Sequence, residues 1–225
     1  MVREAAEAGP FFAVATEVDG AQWLPFSDLL EDESHRRARV AAARAMLAER
    51  AGVGVTAIDE RATASIQHLG TVARLVSPML AVAALCGQSP HLTSANVRWR
   101  PLPGGPIEFA MLPDTFAPID TVLVEFVEPL GAAFAATWHL SSHIVRGNVA
   151  SALAGAAKML SQARPQLRAE AESIVRALLT QPLLRGAGTW PDAADFRRTN
   201  CCLFYRIPGA GTCGDCVLTA PISPG

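Results

Sequence analysis

A chain of 225 residues with a formal net charge of −2 is long enough to bury a core without disulfide staples, and suits one domain with at most a small appendage. The near-neutral balance, with no extended basic stripe, excludes a nucleic-acid binder. Half of the residues are hydrophobic, yet the longest apolar run, Leu75–Cys86, is about a dozen residues and holds Pro78. That is short of the ~20 a bilayer demands, so no stable membrane insertion is expected.

Gly9-Pro10 is the first turn signal. The first thirty residues read as irregular, with one short strand near Phe11–Ala15. Met1–Pro10 carries Glu4 and Glu7 and lacks the apolar centre of a secretory signal, so a cytoplasmic location is expected. From Glu31 the pattern is helical, acidic at its start and alanine-rich to Arg50, with Gly52 as its stop. A second helix opens at Thr56, with Asp59 three residues on. Ile58, Ala62, Ile66, Leu69, Ala73, Val76 and Leu80 then form one buried stripe. Pro78 should kink or break that helix, which ends near Cys86-Gly87.

Residues 96–100 and 107–111 alternate about the Pro/Gly-rich turn Pro101–Pro106 and read as a β-hairpin. Helix returns from Pro118 through Leu130, bent at Pro129 and Gly131. Ser141 or Ser142 caps a further helix through Gln162, whose Gly147, Ala150, Ser151, Ala154 and Gly155 allow a close neighbour. Pro165 opens one more helix, which ends by Pro182. Leu183–Asp195 is a connector.

Four of the five cysteines then crowd into residues 201–216, as Cys201-Cys202, ten residues, Cys213, two residues, Cys216. Where thiols stay reduced, such clustering points to metal rather than disulfides. Four thiolates suit zinc or an iron–sulfur centre. Structural zinc sites combine two spaced knuckles, each presenting two sulfurs to one ion. A vicinal pair in extended backbone points its side chains to opposite faces, which fits a larger two-iron cluster better; a zinc knuckle is the alternative. Cys213-Gly214-Asp215-Cys216 has too little chain behind it for a thioredoxin helix, and Val217 stands where a c-type haem site needs histidine. Cys86 ends an apolar run, reads as a small buried residue and is left out of the cluster.

The expected architecture is mainly α. A helical substrate-binding domain over residues 1–195 carries one central β-hairpin near residues 95–112, and an iron–sulfur-binding segment follows over residues 196–225. Around the cysteines, Leu203, Phe204 and Tyr205 supply apolar cover, and Pro208-Gly209-Ala210-Gly211 lets amide N–H groups turn inward. Arg197, Arg198 and Arg206 would favour the reduced, more negative state of a cluster.

Arg197-Arg198-Thr199-Asn200, then Cys201-Cys202-Leu203-Phe204-Tyr205-Arg206, then Cys213-Gly214-Asp215-Cys216 together resemble the C-terminal motif of the FhuF-like ferric siderophore reductases. Gly147-Asn148-Val149-Ala150 in a small-residue helix is a looser likeness. The resemblance implies a [2Fe–2S] cluster held by Cys201, Cys202, Cys213 and Cys216, and reductive release of iron from ferric siderophores, often hydroxamates. No nucleotide-binding signature is present, so an external electron donor is expected: a ferredoxin, a flavodoxin or a flavin reductase. A siderophore calls for a groove with aromatic and basic walls beside the cluster. Trp99, Arg100, Trp138, Trp190, Arg198, Tyr205 and Arg206 are the candidates for it. Two rival readings are a siderophore- or metabolite-binding protein with a structural zinc knuckle, and a general electron carrier. The roughly 195 residues before the cysteines favour a protein with its own substrate.

Overall fold

A computed structural model describes residues 1–20, 22–102, 106–191 and 195–219. The chain order is α1 (Val2–Ala6), β1 (Leu24–Pro25), α2 (Ser27–Glu31), α3 (Glu33–Ala51), α4 (Glu60–Cys86), β2 (Ser89–Pro90), β3 (Val97–Pro101), β4 (Ile107–Met111) and β5 (Phe116–Ala117). There follow α5 (Asp120–Val122), α6 (Glu128–Trp138), α7 (Ser142–Ala163), α8 (Arg168–Thr180), β6 (Gly188–Thr189) and β7 (Arg197–Arg198). The fold is mainly helical, as its periodicity predicts, and the hairpin forms where alternation places it.

α4 is the axis. It packs against α1, α3, α6, α7 and α8, and its residues from Ala62 to Ala84 are mostly buried. Asp59 caps it by accepting from the Ala62 N–H at 3.0 Å, so the helix starts at Glu60, and the stretch around Thr56 forms a separate 3₁₀ turn. Pro78 does not break it. The apolar surroundings hold the helix continuous to Cys86, and in the same turn the Ser77 hydroxyl donates to the Ala73 carbonyl at 2.7 Å. Cys86 is exposed rather than buried, because the helix end projects it past the core. Because α4 is continuous, it and Asp120–Trp138 are each long and apolar enough, by length and composition, to cross a membrane. Most of that α4 window is buried inside the protein.

The hairpin pairs Val97 with Met111, Trp99 with Phe109 and Pro101 with Ile107; β1 adds to its outer edge. Residues 103–105 of its turn lie outside the described residues. The first thirty residues are more regular than their composition suggests, for they contain α1 and α2. The strand expected near Phe11–Ala15 reduces to a single bridge from Ala15 to Ala110. After α5 the helix widens into a π-turn over Leu123–Val127, and Pro129 then falls in the first turn of α6. The wider turn removes the clash a proline ring makes with the preceding turn of an α-helix.

Candidate iron–sulfur centre

The cysteine segment stands on the N-terminal halves of α4 and α7. Gly147 of α7 lies so close to the Asn200 side chain that an added Cβ would fall inside it, and Asn200 donates to the His143 carbonyl. Ile207 packs with Ala48, Ile58 and Ala62, and half-buried Leu203, Ala210 and Ile66 join them. Arg206 reaches the Asp59 carboxylate at 3.0 Å, so the residue that caps α4 also anchors the segment. At the far end, Arg197 donates to the Thr219 carbonyl at 2.9 Å, and the Arg198 N–H donates to the Asp215 carbonyl at 3.2 Å.

Within this frame Cys202 and Cys216 are buried, and Cys201 and Cys213 are half-buried. Leu203 adopts the left-handed conformation, φ 68°, which is uncommon for a branched side chain. Its N–H donates to the Cys201 sulfur, 3.3 Å away. The Leu218 N–H donates to the Cys216 sulfur at the same distance. Sγ of Cys202 and Sγ of Cys213 lie 3.4 Å apart, within hydrogen-bonding distance. The Cys213 hydrogen bond, the Phe204 N–H and the charge of Arg198 bring the Cys202 thiol down to about 6, against the opposing effect of burial. The same hydrogen bond, burial and the nearby Asp215 push the Cys213 thiol up.

Beneath the cysteines runs a buried polar chain. Arg198 is 2% exposed and donates through Nη2 to Asn148 Oδ1 at 2.7 Å. Asn148 in turn donates to the Ser65 carbonyl at 2.9 Å and its hydroxyl at 3.0 Å, and lies 3.4 Å from His68 Nδ1. His68 is fully buried against Phe134, and burial, helped by the Arg198 charge, lowers its imidazole to about 3. Sequence reasoning missed Ser65, His68 and the role of Asn148. The available signal was polar residues placed on the buried faces of two otherwise apolar helices.

The seven substrate candidates separate into different environments. Trp138 is buried and donates from Nε1 to Glu60 at 2.9 Å, which closes it to a ligand of siderophore size. Burial removes Arg198 from direct contact for the same reason. Arg100 is committed to the hairpin, pairing with Glu108 at 2.6 Å and lying over the Trp23 ring. Trp99 donates to the Pro25 carbonyl at 3.1 Å and floors a separate groove between α3 and the hairpin, with Met46, Gln67 and Leu102. Tyr205 and Arg206 are exposed on the cysteine segment itself. Trp190, edge-on to Phe196, lines a cleft of about 440 Å³ between α7, α8 and the segment. That cleft reaches Gly214 and Asp215, the two residues between Cys213 and Cys216.

Residues 198–218 match the family described as the FhuF 2Fe-2S C-terminal domain. No curated protein matches the chain. The segment is thus a FhuF-type [2Fe–2S] domain, and Cys201, Cys202, Cys213 and Cys216 are the residues that would hold the cluster. The donor set fits. Two thiolates on one tetrahedral metal at ~2.3 Å would lie about 3.8 Å apart, close to the observed Cys202–Cys213 spacing. Amide N–H groups already point at sulfur, as they do around iron–sulfur centres.

Proposed function

We propose that this protein is a ferric siderophore reductase of the cytoplasm, taking single electrons from a ferredoxin, a flavodoxin or a flavin reductase and delivering them to a ferric chelate. The observation that carries the reading is the Trp190 cleft, because its wall includes the two residues that separate a pair of cluster ligands. A substrate seated there would lie against the Gly214-Asp215 turn that joins two of the cluster's cysteines. A pure electron carrier has no use for such a space.

The bound cluster supplies one electron per cycle. Everything else falls to the chain. Trp190 and Phe196 offer apolar and aromatic surface to the organic shell of the chelate. Lys158 pairs with Asp195 at 2.9 Å and Arg168 with Glu172 at 2.8 Å, so the cleft's two cations are matched and Asp215 leaves it one carboxylate in excess. A hydroxamate chelate, with little or no net charge, enters such a cleft at less cost than a strongly anionic catecholate chelate. Ferric iron is held tightly by hard anionic oxygens. On accepting one electron it becomes ferrous and binds them far more weakly, so it leaves. No nucleophile or general base is needed.

The test is single-turnover. Anaerobically reduced protein is mixed with a ferric trishydroxamate and a ferrous trap, beside a ferredoxin control at equal cluster concentration. Trapped iron should form faster than with the control, and Trp190→Ala should slow it by about tenfold at low chelate, with an unchanged visible spectrum. Release no faster than the control would favour the carrier. A colourless protein with one zinc per chain would end the redox reading altogether.

A further inference from the structure

We infer that Arg198 is a positioning residue that acts as the internal counter-charge of the cluster, held in place by Asn148, and that this pair sets the reduction potential. The inference rests on the cluster and its four cysteine ligands. It does not depend on the siderophore reading, and its test involves no substrate.

The case starts from the cost of burying a charge. A guanidinium withdrawn from water loses several kcal/mol unless its charge and its N–H groups are matched. The buried Arg36 and the half-buried Arg44 are each anchored by more than one acceptor. Arg36 donates to the carbonyls of Leu29 and Leu30 and to Thr137, and Arg44 to the carbonyls of Ile58 and Val55 and to Glu60. Arg198 is 2% exposed, yet among the described residues its side chain has Asn148 as its one hydrogen-bond partner, and its buried Nε and Nη1 have none. Among the described residues no carboxylate pairs with it. The nearest titratable group along its polar chain, His68, is held neutral. The guanidinium thus makes no ion pair among the described residues, and the carboxylate beside the same thiols, Asp215, faces Cys213 rather than the guanidinium's hydrogen-bonding groups.

What it lies beside is a set of thiols. Arg198 lies three residues before Cys201, and its backbone N–H donates to the Asp215 carbonyl, inside the Cys213–Cys216 turn. Four thiolates, two sulfides and two ferric ions make a dianion, and one added electron makes a trianion. A cation fixed nearby in a low-dielectric setting stabilises the second more than the first, so it raises the potential. Asn148 supplies aim without charge. Its amide takes the guanidinium on one side and is locked to Ser65 of α4 on the other, which ties the electrostatics of the cluster to the two central helices.

The experiment is an anaerobic redox titration of the intact holoprotein followed by visible absorbance, with iron and sulfide content and circular dichroism measured alongside. Arg198→Met should move the midpoint to more negative potential. Arg198→Lys, which keeps the charge, should stay near the parent. Asn148→Asp, nearly isosteric, places a carboxylate against the guanidinium and should also move the midpoint negative. Cluster loss in Arg198→Met with retention in Arg198→Lys would show that the charge is already needed for assembly, and Asn148→Asp then reads the potential. Parent-like midpoints in Arg198→Met and Asn148→Asp would overturn the inference. So would cluster loss in all three variants at unchanged helical content, since that result assigns the position to packing.

Discussion

At the scale of single residues, the four cysteines carried their own signal, because few chemistries explain that spacing. The groups that support them were less visible. Ser65, His68 and Asn148 sit alone among apolar and small residues, and a lone polar residue on a helix gives no hint of which distant partner satisfies it. His68 makes a testable case. Its imidazole ionises near 3 in the fold and near 6.5 in the unfolded chain, so the fold is at full strength above about 6.5 and weakens as the pH falls toward 3. Between pH 7 and pH 5 this one group should cost about 2 kcal/mol of unfolding free energy. Urea titrations at both values, compared with His68→Gln, isolate the effect. Equal losses in the two proteins would place the pH dependence elsewhere.

At the scale of elements, helices with a clear stripe were legible to within a few residues, as with α7, expected from Ser141 or Ser142 to Gln162 and observed over Ser142–Ala163. Elements that owe their form to their neighbours were not. α1 and α2 are too short to have a period, and α4 runs through Pro78 because packing on all sides outweighs one missing hydrogen bond. The small-residue stripe of α7 does admit a close neighbour, but the neighbour is the cysteine segment rather than another helix. Gly147→Ala tests that contact. Asn200 would have to swing away and give up the His143 carbonyl, one residue before the first ligand. The expected result is a loss of about 1–3 kcal/mol and a cluster released more readily to a chelator, with helical content unchanged. Cluster retention equal to the parent would mean that Asn200 does not position the ligands.

At the scale of the whole molecule, the main hydrophobic core is assembled from residues up to Leu184, with Trp190 packed at its margin, and the cysteine segment adds only satellite clusters around Ile207 and Phe196. Removing iron with a chelator should leave far-ultraviolet dichroism within about a tenth of the holoprotein value, while proteolysis becomes fast between Phe196 and Thr219. Global loss of helix on iron removal would show that the segment is part of the same cooperative unit. The length of α4 sets one more property. The cysteine segment rests on its first two turns and the exposed Cys86 closes its far end, a separation of about 30 Å at the helical rise of 1.5 Å per residue. In the holoprotein that thiol is the natural handle for wiring the molecule to a gold electrode. A monolayer attached there would hold the redox centre beyond direct tunnelling range and should be voltammetrically silent, and only the opposite orientation would give a current.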